Sequence, residues 1–184
     1  MCGGTDNVVR RRPLASIVRR LLPFKSNPHF LVLIKGWSEM KYLLLVSHGD
    51  FSSGLKQTLG MFAGNDAIRS VIAVGLKPDE SASTFGVRFE ATLNALPADS
   101  NFVVLADIVG GSPLTTVCNI LNDHGKLRDA LVLGGMNFPM ALTVLMGKDS
   151  LTTSALKEKA LSEAATSIKE FRMNISDDSD EEEI

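Results

Sequence analysis

Four short apolar runs, each followed by a stretch with helical spacing, constrain this chain more than any other feature. Tyr42 to Val46, Val71 to Val74, Phe102 to Ala106 and Ala130 to Leu133 are rich in Val, Ile and Leu and are bounded by polar residues or glycine. Short runs without polar alternation suit strands covered on both faces, and all four read as inner strands. The segments about 53–64, 80–94, 113–124 and 138–147 carry apolar residues at helical spacing, and a last helix is predicted over about 151–172. Strand and helix thus alternate four times. That order calls for an α/β fold: a doubly wound, mainly parallel sheet with helices on both faces and right-handed crossovers. The expected strand order is 2-1-3-4, which makes the first and third strands neighbours.

The 184 residues, 45% of them hydrophobic, suffice for one such core, and residues 40–172 are read as the domain. A formal net charge of -2 conceals an asymmetry: Arg10, Arg11, Arg12, Arg19 and Arg20 lie toward one end, and Asp177, Asp178, Asp180, Glu181, Glu182 and Glu183 lie at the other. Residues 173–184 read as a solvated acidic tail. Residues 1–39 are basic and partly amphipathic, but FLVLI offers only five apolar residues before Lys35, too short for a membrane span, and no small-residue cleavage site is evident. A basic arm for nucleic acid or anionic lipid is the sharper reading of this segment, and a disordered extension the blander one, which is preferred; no nucleic-acid partner is expected. Cys2 and Cys118 are far apart and form neither a disulfide framework nor a CxxC metal pair, which points to a reducing cytoplasm. Neither a metal nor a cofactor is indicated.

In a sheet of this kind ligands collect beyond the carboxyl ends of the strands. The loops there read SHGDFSSG after the first strand, DIVGGSPLTT after the third and GGMNFPM after the fourth. With the first and third strands adjacent, His48 and Asp107 are expected to meet. A carboxylate accepting from one imidazole nitrogen fixes the tautomer and leaves the other nitrogen as a nucleophile near neutral pH. Asp107 would orient and His48 would attack. Ser112 suits an N-cap with Pro113 at the first helical position, while Gly110 and Gly111 permit close backbone approach. A helix N-terminus beside a nucleophilic histidine is a receptor for phosphate oxygens, so the residues point to phosphoryl transfer through phosphohistidine. No nucleotide cradle of the P-loop or GxGxxG kind is present, so the donor is expected to be another phosphoprotein. Backbone amides around Gly49, Gly111 and Ser112 are expected to hold the transferring group, with Phe51, Ile108, Val109 and Phe138 as an apolar rim that excludes water. A hydrolase triad of Ser112, His48 and Asp107 fails on context, because Ser112 precedes proline and there is no GxSxG elbow. Asn137 and Pro139 read as loop-shaping residues, Met136 and Met140 as packing or partner surface, His124 as a helix C-terminus before Gly125, and Cys118 as core.

The motifs LLLVSHGDFSSGL, LADIVGGSPLTTVCNIL and LGGMNFPMALTVLM, in that order, resemble the IIA domain of the mannose family of the bacterial phosphoenolpyruvate-dependent sugar phosphotransferase system. The likeness covers about residues 40–147. It implies that His48 takes a phosphoryl group from the phosphohistidine carrier protein and passes it to a IIB protein, which phosphorylates a sugar during uptake through IIC and IID membrane proteins. Asp107 matches the family's histidine-orienting aspartate, and Ser112 falls in its GGSP loop near the phosphate. The resemblance also implies a homodimer in the cytoplasm, peripheral to the membrane transport complex. Mannose, fructose, sorbose and amino sugars stay open as substrates. Two alternatives are the phosphotransfer subunit that feeds a dihydroxyacetone kinase and a regulatory module whose phosphorylation changes partner binding. Two features depart from the fused IIAB pattern: no IIB domain follows, and residues 1–39 have no counterpart. Lys35-Gly36 corresponds to purine-rich codons a short way upstream of Met40, much like a bacterial ribosome-binding site, so residues 1–39 are expected to be disordered or not natively translated.

Overall fold

The computed structural model describes residues 41–172. In chain order these form β1 (Lys41–His48), α1 (Phe51–Ile68), β2 (Val71–Leu76), α2 (Ala82–Asn94), β3 (Asn101–Ala106), α3 (Ser112–Asp123), β4 (Leu131–Gly134), α4 (Phe138–Gly147) and α5 (Thr153–Thr166). The expectations for residues 1–39 and 173–184, including a start at Met40, lie outside the described residues. The sheet order is β2-β1-β3-β4 and every pairing is parallel, as the sequence pattern requires.

Because side chains alternate across a strand, each inner run feeds two cores at once. Leu43, Leu45, Val103 and Leu105 face the layer of α1, α4 and α5, where they meet Leu55, Leu59, Val144 and Leu156. Tyr42, Leu44, Phe102 and Val104 face α2 and α3, where they meet Phe85, Phe89, Val117 and Leu121. Each such side chain contributes about 1.5–3 kcal/mol by leaving water. The expectation of four inner strands is corrected: β2 and β4 are the sheet's edges, and several of their residues are only half-buried.

Two helix limits also differ from expectation. α1 begins at Phe51, because the Asp50 carbonyl already accepts the Gly54 N–H, and it is broken at Gly64, where φ is 78°. The last helix stops at Thr166 instead of reaching 172. Thr166 Oγ1 donates to the Ser162 carbonyl and Ser167 Oγ to the Ala164 carbonyl, and Ile168 and Phe171 beyond them are exposed, so nothing apolar is buried by continuing. Among the described residues no helix is long and apolar enough to cross a membrane.

Candidate active site

The parallel register carries the last residue of β1 past the end of β3. Val46 pairs with Ala106, so His48 and Asp107 emerge together at the carboxyl edge. His48 Nδ1 lies 2.9 Å from Asp107 Oδ2, and the His48 backbone N–H donates to that same oxygen at 2.8 Å. Asp107 Oδ1 accepts the Ile108 N–H at 2.8 Å. An ionised carboxylate only accepts, so Nδ1 carries the proton, and in the neutral tautomer this selects, the lone pair is on Nε2. The His48 side chain is 45% exposed and that of Asp107 17%, so the imidazole is open to a large partner while its orienting group is mostly covered. Burial works to raise the Asp107 pKa. The hydrogen bonds from the His48 N–H, the His48 ring and the Ile108 N–H outweigh it and hold the carboxyl below its ordinary range.

α3 starts beside the imidazole. A methyl group at Gly111 would sit 2.9 Å from His48 Cε1 and 3.6 Å from Nε2, so the bare glycine lets the helix start reach the Cε1–Nε2 edge of the ring. Gly110, with φ of +80°, turns the chain into that approach. The Gly111 carbonyl accepts the Thr115 N–H, which makes Gly111 the N-cap and Ser112 the first helical residue. The expected Ser112 cap is therefore corrected: no side chain caps α3, and Pro113 follows within the first turn. The N–H groups of Gly110, Gly111 and Ser112 donate to nothing among the described residues and lie at the positive end of α3. Gly49 is corrected too. Its N–H is spent on the Leu76 carbonyl at 2.8 Å, so it is not a donor to a phosphoryl group.

Of the predicted rim, Phe51, Ile108 and Val109 are exposed. Phe138 is instead partly buried against the α1–α4 core, with its ring 4.8 Å from that of Phe62. Among the described residues no cluster of His, Cys, Asp and Glu is placed to hold a metal ion.

The profile of the EIIA-man family, described as PTS system fructose IIA component, matches residues 42–161. The chain belongs to this family. It is 28% identical over 131 residues to the PTS system fructose-specific EIIA component of Bacillus subtilis, covering 71% of this chain and 84% of that protein. It is also 28% identical over 107 residues to the PTS system mannose-specific EIIAB component of Escherichia coli, where the match spans 58% of this chain and 32% of that protein. Among solved structures, the PTS IIA protein associated with the fucose utilization operon of Streptococcus pneumoniae superposes with a TM-score of 0.60 at 28% identity, covering 72% of this chain and 94% of that one.

The remaining residues singled out in the sequence hold this family fold together. Asn137 caps α4 by accepting the Met140 N–H at 2.9 Å and donates to the Ala164 carbonyl of α5, and Met136 and Met140 are buried packing. His124 ends α3 ahead of Gly125, at φ +67°, and its Nε2 lies 3.2 Å from Glu90 Oε1 on α2. Cys118 packs partly buried against the α2–α3 core, and burial raises its thiol pKa. Ser47 was missed by sequence reading. Its buried Oγ accepts the Ser52 N–H at 2.9 Å and so caps α1 from within β1, a role only register could reveal.

Proposed function

We propose that residues 40–172 are the phosphoryl-carrying unit of a sugar phosphotransferase system and that His48 Nε2 is the atom phosphorylated. The observation that carries this reading is the 2.9 Å contact of His48 Nδ1 with Asp107, which turns Nε2 away from the carboxylate and toward the start of α3. The donor is the phosphohistidine carrier protein and the acceptor a IIB protein. In the first transfer the Nε2 lone pair attacks phosphorus, the donor's P–N bond breaks, and its electron pair stays on the donor nitrogen. No proton leaves His48. The imidazole ring becomes cationic, and Asp107 stabilises that charge while the α3 amides of Gly110, Gly111 and Ser112 receive the equatorial oxygens. The Ser112 hydroxyl, on the first helical residue, adds a further donor. The second transfer reverses these roles toward IIB.

Both steps join two proteins, which fits a nucleophile on an open edge with exposed Phe51, Ile108 and Val109 around it. The names of the relatives, fructose-specific and mannose-specific, favour a sugar pathway over a dihydroxyacetone kinase or a purely regulatory role. The chain would work as a homodimer in the cytoplasm beside IIC and IID membrane proteins. The test is transfer of labelled phosphate from the carrier protein: His48→Ala is expected to abolish labelling, and normal labelling of that variant would end the assignment.

A further inference from the structure

Besides Asp107 and Ser47, the turn that carries His48 rests on the main chain of β2. His48 pairs with Leu76 at the end of β2, and the Gly49 N–H donates to the Leu76 carbonyl at 2.8 Å. The Gly49 carbonyl oxygen lies so close to Gly75 that a methyl group there would overlap it. The seat of the nucleophile is thus the last two residues of an edge strand, and the end of an edge strand lacks a second neighbour to hold it.

Successive carbonyls of a strand point to opposite sides. With Leu76 turned to β1, the Gly75 carbonyl faces the open edge, and there Arg88 of α2 takes it: Nη2 donates to it at 2.7 Å. Arg88 is itself held by Glu80, with Nε to Oε1 at 3.0 Å and Nη2 to Oε2 at 2.7 Å. Glu80 Oε2 also accepts the Lys77 N–H at 3.0 Å. The guanidinium carbon lies 5.3 Å from the centroid of the buried Phe85 ring. A forked cation and a carboxylate therefore grip the backbone on both sides of Leu76 and tie it to α2. The Arg88 hydrogen bond is the main reason Glu80 is held down to a pKa of about 2, so the pair stays ionised across the working range.

We propose that Arg88 and Glu80 are positioning residues for His48: by fixing Gly75 to Lys77 they set where the Gly49 turn, and hence Nε2, stands relative to the amides of α3. This rests on the phosphoryl-carrier reading for its consequence but not for its geometry. Neither residue touches the transferring group. A misplacement on the order of 1 Å in such a site costs about 100-fold in rate, and a partial shift correspondingly less.

The test uses the full chain with Arg88→Met, Arg88→Lys and Glu80→Gln, each read by the rate of labelling from the phosphohistidine carrier protein and by the NMR signals of the His48 ring nitrogens. Arg88→Met and Glu80→Gln are expected to lower kcat roughly 10-fold with KM for the carrier unchanged and to shift the His48 signals, with Arg88→Lys partly restoring both. Should Arg88→Met not fold, Glu80→Gln is read in its place. Wild-type kcat together with unshifted His48 signals in a folded Glu80→Gln protein would overturn the proposal, as would a change in KM alone. An unlabelled wild type would instead end the carrier reading, and the ring signals would still judge the clamp.

Discussion

At Gly111, φ is -68° and ψ 155°, a conformation any residue adopts, so this glycine is needed for space and not for backbone freedom. Gly111→Ala therefore places a methyl group 2.9 Å from His48 Cε1 without straining α3, and the ring must move aside to admit it. Labelling is expected to slow about 10-fold while the unfolding midpoint barely moves, and a normal rate would show that α3 does not approach the ring so closely. Asp107→Asn keeps the shape but removes the charge that, in the proposed transfer, stabilises the cationic phosphoimidazole. Transfer should slow on the order of 100-fold. The same variant carries a pH signature. Asp107 is depressed below its ordinary value of 3.8, so its bonds stabilise the fold fully above that pH and the gain is lost as pH falls through the lower folded value. The stability gap between wild type and Asp107→Asn, measured in urea, should narrow from pH 6 toward pH 2; a constant gap would mean the carboxylate is not held this way. The His48–Asp107 pair was legible in the sequence because strand order alone places two strand ends side by side. The fate of the Gly49 amide was not, since it depends on how far β2 extends beside β1.

Ser47 illustrates the same limit at the level of an element. The sequence places it only in the loop after the first strand, yet it lies within β1 and its hydroxyl caps the first turn of α1, where Asp50 supplies no side-chain cap. The cap also fixes the chain on either side of His48, since Ser47 Oγ reaches the Gly49 carbonyl at 3.4 Å. Ser47→Ala leaves the buried Ser52 N–H without its partner and should cost about 1–2 kcal/mol in urea unfolding. A loss within the error of measurement would mean that water replaces the hydroxyl. Element existence and order followed from the apolar runs, because a strand buried on both faces has few alternatives in a chain of this composition. Element ends did not. The start of α1 depended on a cap supplied from five residues upstream, the end of α5 on Thr166 and Ser167 turning back to carbonyls, and the start of α3 on Gly111 taking the place expected of Ser112.

At the scale of the whole molecule, the fold places His48 at the carboxyl edge of the sheet with the exposed side chains of Phe51, Ile108 and Val109 on the loops around it, which suits the proposed transfer between proteins. Ile108 joins the two functions. Its N–H holds Asp107 Oδ1, while its side chain stands 56% exposed beside the site. Substitution of the side chain leaves the backbone bond in place, so docking can be separated from chemistry at this residue. Ile108→Glu forfeits the burial of an aliphatic side chain in the complex, about 1.5–3 kcal/mol, and sets a negative charge near an incoming phosphoryl group. KM for the carrier protein should rise at least about 10-fold, with kcat within about 3-fold of wild type and the His48 ring signals unshifted. Opening the rim to water should also shorten the lifetime of the phosphorylated protein, which is followed by release of labelled phosphate after the carrier is removed. If instead kcat falls and KM holds, Ile108 acts through Asp107 alone and the partner docks elsewhere on the carboxyl edge.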